Sequence, residues 1–304
     1  MADKQKTIIQ PVSVTGTGLH TGQEGTITFH PAPENHGIKF RRIDLEGQPV
    51  IDASINNVIS TDRGTTLGYK GANIYTIEHV LAALSGLGID NVMIDIDMEE
   101  MPIKDGSSSS FVAAIEEAGI KVQNAEKDIL VITKKTEFEI PEKNIKISIE
   151  PADKFSISLE IDYETKVLGK QFAELNDLKD FKKDIAPCRT FVFLHELEFL
   201  LNHNLIKGGD INNAIIFVNK VVSQDELDRL AKLFNKPSVL VKSKGILNNV
   251  DLYFENEPAR HKLLDVIGDL TLLGKSIQGH IKARRPGHFT NTQFTKLLQK
   301  TYSL

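Results

Sequence analysis

His261 and Asp265 stand four residues apart in the run HKLLDVIGDL, 261–270. Apolar residues at Leu263, Leu264, Ile267 and Leu270 predict a helix, so the imidazole and the carboxylate emerge on one face about one turn apart. Two such groups can ligate one metal ion and leave positions for a third ligand and a water. Asp269 follows on the same face one turn further on. An exposed polar stripe on an amphipathic helix has the same spacing.

A second pair, Glu78-His79, lies near the start of TIEHVLAALSGLG, 76–88. Adjacent helical residues diverge by about 100°, so one of the two can bind a metal while the other stands beside a metal-bound water. His79, His261 and Asp265 would make an N, N, O set that suits a catalytic zinc with an open position. Glu78 would then be the general base. The plainer alternatives are a carboxylate favoured by the helix dipole and a histidine hydrogen-bonded at a helix edge. Near the C-terminal end, RRPGHFTN (284–291) sets His288 beside Arg284 and Arg285. It could act as a general acid, or as a cation facing an oxyanion, if a carboxylate such as Asp269 holds its other ring nitrogen. A solvated loop histidine is the alternative.

The elements that must position these residues read as one pattern written twice. GTITFHPAPENHGIKFRRIDL (25–45) and NIKISIEPADKFSISLEIDYE (144–164) both alternate apolar and polar residues, break at a Pro-Ala pair, and alternate again. Each predicts a strand, a turn and a second strand. Each half then supplies an apolar helix ending in glycine, 76–88 and 259–274, followed by a β-rich run. The fold class expected is therefore α+β. Two similar α+β domains are expected. The expected division is 1–126, with an insert near 46–75, and 127–304, with an insert near 189–220. The second insert holds CRTFVFLHELEFLLNHNLIKGG, 188–209, a strand turning into a helix with Leu194 and Leu197 near one face. That helix could be core or one wall of an apolar channel. In PIKDGSSSSF (102–111), Asp105 or a serine is expected to cap the next helix.

Composition narrows the function classes. The chain has 304 residues, 40% of them hydrophobic, 25% charged, with a formal net charge of −5. There is no basic field to attract nucleic acid. One cysteine, Cys188, allows no disulfide within the chain and fits a reducing cytoplasm. No run approaches the roughly 18 apolar residues of a membrane span, and no integral membrane segment is expected.

With these residues in place, the chain resembles the zinc-dependent UDP-3-O-acyl-N-acetylglucosamine deacetylase family of lipid A biosynthesis. The resemblance rests on GTGLHTG (16–22), TIEHVLAALSGLGIDNV (76–92), PIKDGSSSSF, CRTF (188–191), GGDINNAIIF (208–217), RHKLLDVIGDL (260–270) and RPGH (285–288). It implies two domains, each a β-sheet layer packed with α-helices, with the active site between them. It implies zinc on His79, His261 and Asp265, with Glu78 as general base and His288 oriented by Asp269. It also implies that Thr190 helps hold the oxyanion, that Phe191 packs on the sugar, and that Lys262 binds the diphosphate. His20 is implied near the acyl chain, Tyr163 against the uracil, and Arg285 as a positively charged substrate-binding group. Leu194, Leu197, Ile206, Ala214 and Ile216 are implied as lining of an acyl passage. The implied reaction removes the acetyl group from a UDP-linked, 3-O-acylated amino sugar.

Three positions depart from the family pattern. Ser110 stands where proline is frequent, Tyr163 replaces a phenylalanine of some members, and Arg285 replaces a lysine with different donor geometry. The HLE-type helix and the RPGH ending resemble the branch fused to a hydroxyacyl-carrier-protein dehydratase; either the protein is naturally single, or such a domain would lie beyond residue 304. The rival readings are a zinc amidohydrolase on an unacylated amino sugar and a non-catalytic α+β binding scaffold.

Overall fold

The alternating runs on either side of each Pro-Ala pair form neighbouring strands of two mixed sheets. The computed structural model describes residues 3–197, 207–208, 213–233, 238–242 and 245–304. In the first sheet the strands are β1 (Val12–Thr17), β2 (Glu24–Pro31), β3 (Ile38–Arg42), β4 (Val50–Asp52) and β5 (Val92–Ile96). They pair in the order β1-β2-β5-β3-β4. The second sheet holds β6 (Thr136–Ile140), β7 (Ile145–Glu150), β8 (Ser156–Asp162), β9 (Lys170–Leu175) and β10 (His280–Arg284). Its order is β6-β7-β10-β8-β9, the same permutation. In both sheets the second strand runs antiparallel to the central fifth, and the third runs parallel to it. The expected α+β class and its two similar halves are what the structure has.

Period-two alternation sorts each strand into an inner and an outer face. Ile27 and Phe29 of β2 are fully buried, as are Ile147 and Ile149 of β7, while Thr28 and Lys146 face outward. Four helices cover the inner faces: α1 (Glu78–Leu87), α2 (Ser109–Ala118), α3 (Glu257–Thr271) and α4 (His288–Thr301). The interiors of these two sheets and four helices join in one apolar core. Every residue of α1 from Glu78 to Leu84 is buried, which is the signature of a helix enclosed on all sides. Helix α1 starts two residues later than the sequence suggests. Thr76 takes a left-handed backbone, φ 60°, and its hydroxyl donates to buried Glu100. Small sheets lie outside the two large ones. Val58–Ser60, Thr66–Tyr69 and Ala72–Ile74 form one, and Phe191–Phe193 pairs with Ile215–Phe217 in another. Leu194, Leu197, Ile216, Val218, Leu227 and Leu230 make a separate apolar cluster beside the second of these.

The halves meet where α1 crosses α3. A Cβ on Gly268 of α3 would lie 2.1 Å from the Glu78 carbonyl oxygen of α1, so the two backbones touch there. No other residue type allows that approach. Among the described residues no helix is long and apolar enough to cross a membrane.

Gly268→Ala is expected to force the helices apart, at a cost of about 1–3 kcal/mol of stability. It should also weaken divalent-metal binding, because residues on both helices would separate. Thermal melting with metal titration checks this, and an alanine variant matching the parent in both would show that the contact does not set the site.

Candidate active site

The crossing brings three potential ligands together. Donor atoms of His79 on α1 and of His261 and Asp265 on α3 all lie within 4.8 Å of one another, and all three residues are buried. His261 and Asp265 do so because i and i+4 share a helix face, as the sequence predicts. The Nδ1 of His261 lies 3.0 Å from the Cys188 carbonyl oxygen. A carbonyl can only accept, so Nδ1 carries the proton and Nε2 turns its lone pair toward Asp265 Oδ1, 3.5 Å away. The Nε2 of His79 is 3.9 Å from the same oxygen.

Electrostatics keep these groups in their ligating forms. Burial, then the neighbouring His261, pushes His79 down to about 3. Burial also lowers His261. Both rings are therefore neutral. Burial would raise Asp265, but the Lys262 ammonium above all holds its carboxyl far below the ordinary range. Lys262 Nζ donates to Asp265 Oδ2 at 2.7 Å. The other oxygen, Oδ1, is buried with no hydrogen-bond partner among the described residues. A buried carboxylate oxygen left unpaired while facing two imidazole nitrogens is costly. A divalent cation satisfies all three at once, and the donor set fits one.

Glu78 and His288 stand beside this group. Glu78 Oε2 accepts the Thr65 backbone N–H at 3.0 Å, and Oε1 lies 3.9 Å from His288 Nε2. Burial, with smaller contributions from Asp269 and Asp265, raises Glu78 to about 7 against the opposing His288. For His288 burial acts downward, but Asp269, Glu78 and Asp265 outweigh it and raise the ring to about 9. Asp269 accepts from His288 Nδ1 at 3.0 Å and from Asn291 Nδ2 at 2.8 Å. A carboxylate poised near neutrality thus faces an imidazolium, the pairing that proton transfer requires. The Cys188 thiol takes no part. Burial, then Glu257, pushes it well above its usual value, so it stays protonated.

A cavity of about 650 Å³ opens onto this cluster. Thr190, Phe191 and Lys262 form one wall, and the Lys262 ammonium lies 5.7 Å from the Phe191 ring centre. A buried ion pair, Arg189 Nε to Glu257 at 2.9 Å, fastens that wall to the start of α3. The apolar side includes Leu19, Ile103, Leu197, Ala214 and Ile216, and His20 and Arg63 also reach the cavity. Fully buried Glu100 positions the His20 loop by accepting from the backbone N–H groups of His20 and Thr21.

Other predicted residues stand elsewhere. Leu194 is fully buried in the apolar cluster beneath the wall and does not reach the cavity. Tyr163 packs its edge against Phe191, 5.4 Å between ring centres. Arg285 is ion-paired with Asp162 and Glu164. Neither lines the cavity. Ile206 lies outside the described residues. Asp105 does not cap α2 directly; it accepts from Ser107 in the preceding turn.

Residues 5–236 and 229–300 match the family model described as LpxC, UDP-3-O-acyl N-acetylglycosamine deacetylase. The chain belongs to this deacetylase family. Similar members include a protein named bifunctional enzyme LpxC/FabZ in Bacteroides thetaiotaomicron. It is 46% identical over 301 residues, which are 99% of this chain and 65% of that protein. A namesake in Chlorobaculum tepidum is 48% identical over 97% of this chain and 64% of its own length. The chain thus spans just under two thirds of these bifunctional relatives. The UDP-3-O-acyl-N-acetylglucosamine deacetylase of Teredinibacter turnerae is 37% identical over 98% of this chain and 90% of its own length.

Within this deacetylase family member, sequence reading passed over Thr65, Glu100 and the Arg189–Glu257 pair. Arg189 sits inside the CRTF block and could have been singled out there. Thr65 and Glu100 stand in runs with no periodic or motif signal. One divalent transition-metal ion per chain is expected to bind the chelator-treated protein, and Asp265→Ala should abolish it. Calorimetric titration with elemental analysis tests this; undiminished binding in the Asp265 variant would remove Asp265 from the ligand set.

Proposed function

We propose that the chain hydrolyses the N-acetyl group of a UDP-linked, 3-O-acylated glucosamine, giving acetate and a free amine for lipid A biosynthesis. Family membership supports the substrate class. The observation that carries the reaction is the Glu78–His288 pair, its proton affinities driven apart beside the buried His79, His261 and Asp265. These three hold a zinc ion in this reading. Such an ion, when bound, supplies Lewis acidity to an amide oxygen and makes a neighbouring water more acidic.

The protein groups do the rest. Glu78, fixed by the Thr65 N–H, accepts a proton from the attacking water. His288 is held as an imidazolium by Asp269 and faces the oxygen on which negative charge develops. The Thr190 hydroxyl adds a second donor to that oxygen. The leaving nitrogen takes its proton from Glu78 or His288. Lys262 and Phe191 bind diphosphate and sugar, with Tyr163 and Arg285 set further out toward the nucleotide. The apolar side of the cavity takes the 3-O-acyl chain, near His20, Leu197, Ala214 and Ile216. A nucleotide-linked substrate places the reaction in the cytoplasm.

The active form needs Glu78 ionised and His288 protonated. Activity is therefore expected to rise with pH as Glu78 loses its proton, at about 7 without metal and lower with a cation beside it. It falls as His288 deprotonates, at about 9 without metal and likewise lower with one. Glu78→Gln should remove the rising limb and lower kcat about 10²–10⁴-fold with metal still bound. His288→Ala should remove the falling limb. Mass spectrometry for deacetylated product, on substrates with and without the 3-O-acyl chain, reads both variants. Wild-type turnover in either variant would overturn the assignment, and equal turnover of both substrates would favour an unacylated one.

A further inference from the structure

We propose that Thr65 is a positioning residue that fixes the general base and the His288–Asp269 pair relative to one another. The inference rests on the deacetylase reading above. Thr65 belongs to the first insert, next to the strand Thr66–Tyr69, and is fully buried. Three of its atoms engage the site. Its backbone N–H donates to Glu78 Oε2 at 3.0 Å. Its carbonyl accepts from the N–H of Ile77, at the threshold of α1, at 3.3 Å. Its hydroxyl donates to Asp269 Oδ1 at 2.5 Å and lies 3.4 Å from His288 Nδ1. One residue of the insert therefore touches the start of α1, the carboxylate on α3 and the imidazole on α4.

The hydroxyl matters through the carboxylate it aims. Asp269 Oδ2 takes two donors, His288 Nδ1 and Asn291 Nδ2, whereas Thr65 is the donor to Oδ1 among the described residues. Without that bond the carboxylate is free to turn about its last side-chain torsion, and its aim at His288 loosens. Gly64 keeps the approach open, since a Cβ there would come within 3.0 Å of Glu78 Oε1. The insert thus completes a frame that α1, α3 and α4 do not build by themselves.

Thr65→Val removes the hydroxyl and keeps shape and backbone; Thr65→Ser keeps the hydroxyl. In the full chain the valine variant is expected to lower kcat about 10–100-fold with KM changed less than about two-fold, a geometric loss rather than a binding loss. The serine variant should recover most of kcat. Proton NMR of ¹⁵N-histidine-labelled protein without metal supplies an independent readout. The low-field His288 Nδ1 proton should be present in the parent and the serine variant, and shifted upfield or lost in the valine variant. Parental kcat in the valine variant, failure of serine to rescue, or an unmoved resonance would each overturn the proposal. A parent protein that does not deacetylate the UDP-acyl-sugar sinks the functional reading instead, while the resonance still tests Thr65.

Discussion

The site depends on one contact, the backbone-to-backbone crossing of α1 and α3 at Glu78 and Gly268. Two helices of ordinary side chains pack with axes about 8–10 Å apart, and a glycine at the crossing allows the near limit. The close approach lets a histidine on one helix and a histidine and an aspartate on the other share one small volume. It also encloses α1, so Glu78 and His79 are buried by the same contact that aligns them. Position and electrostatics thus have one cause.

Burial on that scale sets a conflict that the neighbouring residues resolve. Glu78, Asp265 and Asp269 all stand around the His288 ring with almost no solvent, and three unpaired carboxylates could not remain there. Lys262 neutralises Asp265 from one side. His288 bridges the rest, 3.0 Å from Asp269 and 3.9 Å from both Glu78 and Asp265. Glu78 is left as the carboxylate without a dedicated cation, and it is the one whose proton affinity rises to about 7. The difference between a ligand-like Asp265 and a base-like Glu78 is a difference of partners, since both are buried carboxylates.

The sequence discloses what is local. Alternation on each side of a Pro-Ala pair locates β2, β3, β7 and β8, and i, i+4 spacing places His261 and Asp265 on one face. That His79 joins them is legible only through the repeat of one half in the other. Asp269 and His288, nineteen residues apart, could be paired from the sequence because both lie close to recognisable helix signals. Thr65 was not legible. It contributes a backbone N–H and a hydroxyl from a turn with no periodicity, and its partners Glu78 and Asp269 lie on different helices. Leu194 shows the converse limit. Its apolar character places it in an interior, but helical spacing does not say whether that interior is a channel wall or the small core behind it.

The shared topology raises a last question, why two like halves make one site. Glu78-His79 and Arg260-His261 occupy corresponding places, and each helix has a glycine seven residues after its histidine, Gly86 and Gly268. The equivalence ends there. A Cβ on Gly268 would strike the Glu78 carbonyl oxygen, whereas one on Gly86 would strike the Phe181 ring, 2.0 Å away. An aromatic side chain thus fills on one side the space that backbone fills on the other. Ala83 stands where α3 has Asp265, so the cluster holds one carboxylate there instead of two repelling each other. The helix starts diverge in the same way. Helix α4 opens with His288 after Gly287, while α2 is preceded by Ser108, whose hydroxyl donates to the His79 carbonyl. One half therefore holds the scaffold of α1 in place, and the other supplies the imidazole that faces Glu78. A symmetric pair would duplicate charges at a single crossing, and the low dielectric there penalises every unpaired copy. The asymmetry follows from burying the crossing.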